Sequence, residues 1–170
     1  MGYVILNEGA VDALTAQGSE FLTLAQTAWG KPFPEPTHWI FSGYPWRKSN
    51  NRVPGQIEST RMDVHERVIP DTEMGAFGCD PALHAAMRYP RKKMYHEQVR
   101  VTGALPHGMS GGAVWHVGAD GLPIVVAIAT NYDAGKKFMR ATRINPLLFR
   151  IRDVLRVDMA RKGATPDEKT

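Results

Sequence analysis

Residues 106–115 read PHGMSGGAVW, with Ser110 set among Gly108, Gly111 and Gly112. Glycines at this density allow dihedrals that a side chain would obstruct, so the stretch predicts a tight turn. What the turn leads into decides the fold. AVWHV follows at 113–117 and LPIVVAIATN at 122–131, both rich in β-branched residues and separated by a Gly- and Asp-containing turn. KKFMRATRI at 136–144 continues the texture, and HWIFSGYP at 38–45 and YHEQVRVTG at 95–103 read as strands upstream. MDVHERVI (62–69) alternates less cleanly, and EMGAFG (73–78) is a shorter strand candidate. Several short strands in succession predict a mainly β chain with a closed or packed antiparallel sheet, and the strand texture from Thr37 to Ile144 is expected to form a six-stranded closed antiparallel barrel.

Helical signals are few. Glu8 to Gln17 carries Val11 and Leu14 at helical spacing and predicts a short helix ending at Gly18, after a short apolar N-terminal strand, YVIL. DPALHAAMR (80–88), with Pro just inside an Asp cap, predicts one or two helical turns. At the C-terminal end Asn145 reads as an N-cap and Pro146 as the first helical residue. Leu147, Leu148, Ile151, Val154 and Leu155 form an apolar stripe, with Arg150, Arg152 and Arg156 facing outward. The division expected is 1–36 as strand, helix and Pro-rich linker, 37–158 as the barrel with its closing helix, and 159–170 as a mobile tail.

The chain has 170 residues, 43% hydrophobic and 22% charged, a globular balance with no apolar run of membrane-spanning length. No positive leader or apolar signal core opens it, and the lone Cys79 suits a reducing compartment, so a cytoplasmic protein is expected. No His or Cys pair has ligand spacing, so neither a metal nor a cofactor is expected. Lys and Arg exceed Asp and Glu by 21 to 17. Two stretches, YPWRKSNNR (44–52) and RYPRKK (88–93), combine basic and aromatic residues as nucleic-acid binders do. Neither lies in a recognisable nucleic-acid motif, and both read as solvated loops.

Two designs use a serine between glycines. The G-x-S-x-G elbow of α/β-hydrolases needs a helix after the serine and its histidine later in the chain. Strands follow Ser110, and the only later histidine, His116, sits six residues on. The second design bends a glycine-rich turn so that two backbone N–H groups receive an oxyanion. GMSGGAVW, then GLPIVVAIATNYDAGKKFMRATRI, then an amphipathic helix resemble the C-terminal barrel of bacterial trypsin-like serine peptidases. ATRI at 141–144 and FSGYP at 41–45 match further strands of that barrel, and the likeness runs from about Thr37 to Val157.

The resemblance implies Ser110 as nucleophile and the N–H groups of Gly108 and Ser110 as the oxyanion hole. It implies Thr130, Asn131 and Tyr132 as a wall of the primary specificity pocket, with Ala104 as its floor. An Ala floor offers no carboxylate, so a preference for Lys or Arg does not follow. The family's histidine and aspartate precede the serine on an N-terminal barrel. The 36 residues before Thr37 cannot hold a barrel, and GYVIL resembles the strand after the family's aspartate, so both partners are expected to be missing from the chain. His107 in the turn, His116 and His96 in adjoining strands, and His38, His65 and His84 in other elements all read as surface or half-buried histidines.

The expected function is therefore that of a serine-peptidase fragment, cleaving a peptide or protein substrate through an acyl-enzyme when a second polypeptide supplies His and Asp. An inactive protease-like interaction module is the alternative, and a nucleic-acid-binding protein the second one. A missing barrel would also leave Val4, Ile5, Leu6 and the surroundings of Ser110 as an apolar face prone to self-association.

Overall fold

Alternate side chains along Trp39–Gly43 (β1) turn inward, burying Trp39 and Phe41, while Ile40 and Ser42 stay half-buried on the other face. The computed structural model describes residues 6–18, 20–34, 39–45, 49–53, 56–96 and 98–163. In chain order the further strands are Ser49–Val53 (β2), Gln56–Ser59 (β3), Met62–Glu66 (β4), His84–Arg88 (β5), Met94–His96 (β6), Val99–Val101 (β7), Ala113–Val117 (β8), Pro123–Asp133 (β9) and Phe138–Arg143 (β10). Six of them make one sheet in the order β4-β1-β8-β9-β10-β5, every neighbouring pair antiparallel. The serine turn leads straight into β8, which excludes the hydrolase elbow.

The molecule is mainly β, as expected, but the sheet is a curled half-barrel rather than a closed barrel. Its edges, β4 and β5, share no ladder among the described residues. One antiparallel bridge just past β4, Val68 to Met87, links them, with the Ile69 N–H donating to the Ala86 carbonyl (2.8 Å). Closure would need β4 to run on in register, and the chain instead turns at Pro70 into a 3-10 helix, Asp71–Phe77. That helix replaces the strand expected at 73–78. It covers the outer face of β5 and β10, where Ile69, Met74, Cys79, Ala86 and Phe138 form a second buried cluster.

Inside the curl lies the main core: Trp39, Phe41, Val64, Tyr89, Met87, Val114, Val125 and Met139 are each at most 2% exposed. Burying such side chains contributes roughly 1.5 to 3 kcal/mol apiece before the entropy of ordering them is counted. Cys79 belongs to the outer cluster, and its burial raises the thiol above its ordinary pKa, with Arg140 and Lys136 opposing.

Other expectations need correction. Residues 80–88 form one turn, capped by the Asp80 carboxylate accepting from the Ala82 N–H (2.8 Å), and then β5. Ala85–Met87 are buried against β10, and that pairing outweighs the local helical signal. YHEQVRVTG is not one strand but two, β6 and β7, with Gln98 at φ 65 in the turn. The β2–β3 hairpin stands where only a loop was expected.

Helix Glu8–Ala16 (α1) forms as expected, with Asn7 accepting from the Ala10 N–H (2.8 Å), and none of its residues is buried. Helix Ile144–Gly163 (α2) lies against β9 and β10 and runs past 158 into the segment expected to be a tail. Asn145 is not its N-cap. The side chain ties α2 to the upstream loop, accepting from the Gly30 N–H (3.1 Å) and donating to the Lys31 carbonyl (3.0 Å). Arg152 does not simply face outward, because its guanidinium lies over Phe149 and Trp29. Among the described residues no helix is long and apolar enough to cross a membrane. Tyr3, Val4 and Ile5 of the expected YVIL strand, and Thr37, His38, Trp46 and residues 164–170, lie outside the described residues, while Leu6 is exposed and belongs to no strand.

Candidate functional site

The turn before β8 is pinned at both ends. The Gly111 N–H donates to the Ala129 carbonyl and the Ala129 N–H returns to Gly112, each at 2.8 Å, so the turn rides on β9. Gly108 and Gly111 take φ of 94° and 91°, a left-handed backbone that favours glycine. Gly112 is required for a different reason: a Cβ there would overlap the Ser42 carbonyl oxygen and come within 3.2 Å of the Gly43 Cα. Met109 is buried beneath the turn, and Ser110 is left exposed on top.

Within the turn the amides divide into two sets. Met109, Gly111 and Gly112 spend their N–H groups on the Pro106, Ala129 and Met109 carbonyls. Those of Gly108 and Ser110 find no acceptor among the described residues. The Ser110 hydroxyl donates to the Thr130 carbonyl at 3.1 Å. The β9–β10 register passes from Asn131 to Ala129 and skips Thr130, so a β-bulge turns this carbonyl toward the serine.

Among the described residues two cavities meet at the turn. The smaller, about 260 Å³, is lined by Gly108, Ser110, Asn131, Tyr132, His107 and Met139. The larger, about 630 Å³, lies on the other side of Ser110 over the outer face of β1 and β4, with Ile40, Tyr44, Trp115, Asp63 and His65 around it. Ser110, Gly108, Asn131 and Tyr132 are thus brought together, and Thr130 joins them through its carbonyl. Ala104 stands apart: its carbonyl accepts the Tyr89 hydroxyl at 2.6 Å, and it does not line the smaller cavity.

No imidazole bonds Ser110 among the described residues. His107 is exposed in the turn, and His116 lies on β8 with its Nδ1 buried and unpartnered. The His84 Nδ1 accepts from the Asp80 N–H. His65, expected as a surface or half-buried histidine in another element, shares the larger cavity with Ser110. Its signal was the period-two alternation of β4, which puts Arg61, Asp63 and His65 on one face while Met62 and Val64 are buried. Asp63 is already held there by Arg61, with Oδ2 at 2.8 Å from Nη2.

Tyr89 supports the wall of the smaller cavity, its ring meeting Tyr132 edge-on at 5.5 Å. Burial pushes its hydroxyl up to about 12, with the neighbouring Tyr132 adding to the rise and Arg91 opposing it. The folded chain therefore holds this proton more tightly than the unfolded chain, whose phenol titrates near 10. The resulting stabilisation is complete below pH 10 and is lost as pH rises toward 12, about 2 to 3 kcal/mol in all. Urea midpoints measured from pH 9 to 12 should fall faster for the native chain than for Tyr89→Phe. Parallel curves would contradict this.

Neither a comparison with protein-family models nor a search of curated proteins finds a match for this chain.

Proposed function

We propose that the chain is the nucleophile-bearing half of a trypsin-like serine peptidase site, cleaving a polypeptide through an acyl-enzyme on Ser110 when an imidazole is supplied by a His- and Asp-bearing partner. The observation that supports this most is the division of amides in the turn. The two N–H groups without an acceptor among the described residues, Gly108 and Ser110, are the pair that the resemblance implies as the oxyanion hole, and both residues line the two cavities. Such donors act on charge that develops in the transition state, and each is worth about a hundred- to a thousandfold in rate. The Thr130 bulge lends further support. Past Ile128 the edge of β9 is no longer covered by β8, so an extended polypeptide could run along Thr130–Tyr132 as an added strand.

A peptide boronic acid tests the reading without needing the base. Its boron accepts an oxygen lone pair of Ser110, the hydroxyl proton passes to solvent, and a tetrahedral anion forms beside the turn. In amide NMR spectra the Gly108 and Ser110 resonances should shift most, and those of Met109, Gly111 and Gly112 least. Shifts elsewhere only, or none at saturating ligand, would contradict the proposal.

A second reading has its own observation: the Ser110 hydroxyl is spent on the Thr130 carbonyl, and no histidine bonds it among the described residues. In that case the same groove holds a polypeptide without cutting it.

A further inference from the structure

Beside the smaller cavity lies a third, about 610 Å³, lined by Arg91, Lys92, Lys93, Arg100, Lys137 and Tyr132. Its five cations come from three places in the chain. Residues 91–93 form a single 3-10 turn after Pro90, Arg100 lies on β7, and Lys137 closes the β9–β10 turn with φ 55°. Secondary contacts fix the assembly. Arg91 Nε donates to the Gly103 carbonyl (2.6 Å), Arg100 Nε to the Lys92 carbonyl (3.2 Å), and the Lys137 carbonyl accepts from the Tyr89 N–H (2.7 Å). Among the described residues no carboxylate lines this cavity, and none of the five cations makes an ion pair. Like charges gathered in this way repel one another, a cost that an anionic occupant would remove.

We propose that this cavity is a subsite for acidic side chains of the polypeptide whose backbone passes Ser110. The inference rests on the peptide-site reading above and adds the chemical class of the substrate to it. Two features favour a polypeptide over a nucleic acid. Tyr132 lines both this cavity and the one beside Ser110, so the two adjoin at that residue of β9. A single-stranded nucleic acid would need an open aromatic face to stack on, whereas Tyr132 is half-buried and packed edge-on against Tyr89. The remaining walls, Pro90, Leu105 and Ala134, suit the methylenes of a Glu or Asp side chain entering from one side.

The test is equilibrium binding of fluorescent ten-residue peptides to the full chain, with no turnover required. A Glu-rich peptide should bind at least tenfold more tightly than its Gln counterpart at low salt, and the advantage should shrink as salt screens it. Lys92 and Lys137 are exposed, and among the described residues their side chains make no hydrogen bond. Lys92→Glu combined with Lys137→Glu should weaken the acidic peptide roughly tenfold. A melting curve checks that the variant is folded, and the peptide comparison on the native chain stands without it. Equal affinity for the Glu and Gln peptides would overturn the subsite while leaving the serine chemistry untouched. Tighter binding of a ten-nucleotide single strand, lost in the same variant, would overturn it in favour of a phosphate track. Failure of the boronic acid to engage Ser110 would instead strike the peptidase reading, and is read out separately.

Discussion

Mixed with a fluorophosphonate, the chain alone is expected to be labelled at Ser110 no faster than an ordinary exposed serine. The hydroxyl is fully protonated at neutral pH and becomes a good nucleophile only when a base removes its proton as the new bond forms. Here it donates to the Thr130 carbonyl, which cannot take a proton, and no imidazole bonds it among the described residues. In a triad enzyme, loss of the histidine costs about as much as loss of all three members, on the order of a millionfold in turnover. Ser110→Ala should therefore change the slow background little. Rapid labelling of the chain alone, abolished in Ser110→Ala, would mean that His65 or His107, the two histidines that share a cavity with Ser110 among the described residues, moves in to act as the base.

Gly112→Ala is expected to destabilise the fold by about 3 kcal/mol or more. Its added Cβ would overlap the Ser42 carbonyl and press within 2.9 Å of the Met109 carbonyl, both of them backbone atoms that cannot swing aside. Relief would require the turn to lift off β1, which would strain the paired Gly112–Ala129 and Ala129–Gly111 bonds. Gly111→Ala meets no neighbour at its Cβ and should cost only the strain of φ 91°, about 1 kcal/mol. Chemical denaturation of the two variants should separate them by more than the error of the midpoints. Equal stabilities would contradict the close approach of Gly112 to the β1 backbone.

Much of this was readable in the sequence wherever side-chain alternation and burial agree. The strands β1, β8, β9 and β10 were legible because each puts apolar residues on the core face, as Trp39 and Phe41 do in β1. The serine turn was legible because three glycines have few other uses. What escaped was decided by partners distant in sequence. Ala85–Met87 looked helical after Asp80, yet β10 supplies a ladder and a buried face for them. The 73–78 segment looked like a strand, although the acidic residues Asp71 and Glu73 in the first turn and Gly78 at φ 69° are helix-end signals. Closure of the barrel could not be read at all, because it depends on whether β4 and β5 meet in register. At the site, Ser110, Gly108, Asn131 and Tyr132 line one cavity, while the Ala104 carbonyl accepts the Tyr89 hydroxyl and Ala104 is not among that cavity's walls. His65 was overlooked because its route to the serine runs through the β1–β4 register, Ile40 opposite His65 and Ser42 opposite Asp63.

The most direct measurement is the rate of fluorophosphonate labelling at Ser110 as imidazole is added to the buffer, followed by mass spectrometry of the peptide that contains it. Free imidazole can enter the open larger cavity beside Ser110 and take the hydroxyl proton as fluoride leaves phosphorus. If the turn is a peptidase half-site lacking only its base, labelling rises in proportion to imidazole, stays confined to Ser110, and is absent in Ser110→Ala. If labelling is indifferent to imidazole, or spreads equally over other exposed serines and threonines, Ser110 is not a poised nucleophile and the turn is only a glycine-rich connection between strands.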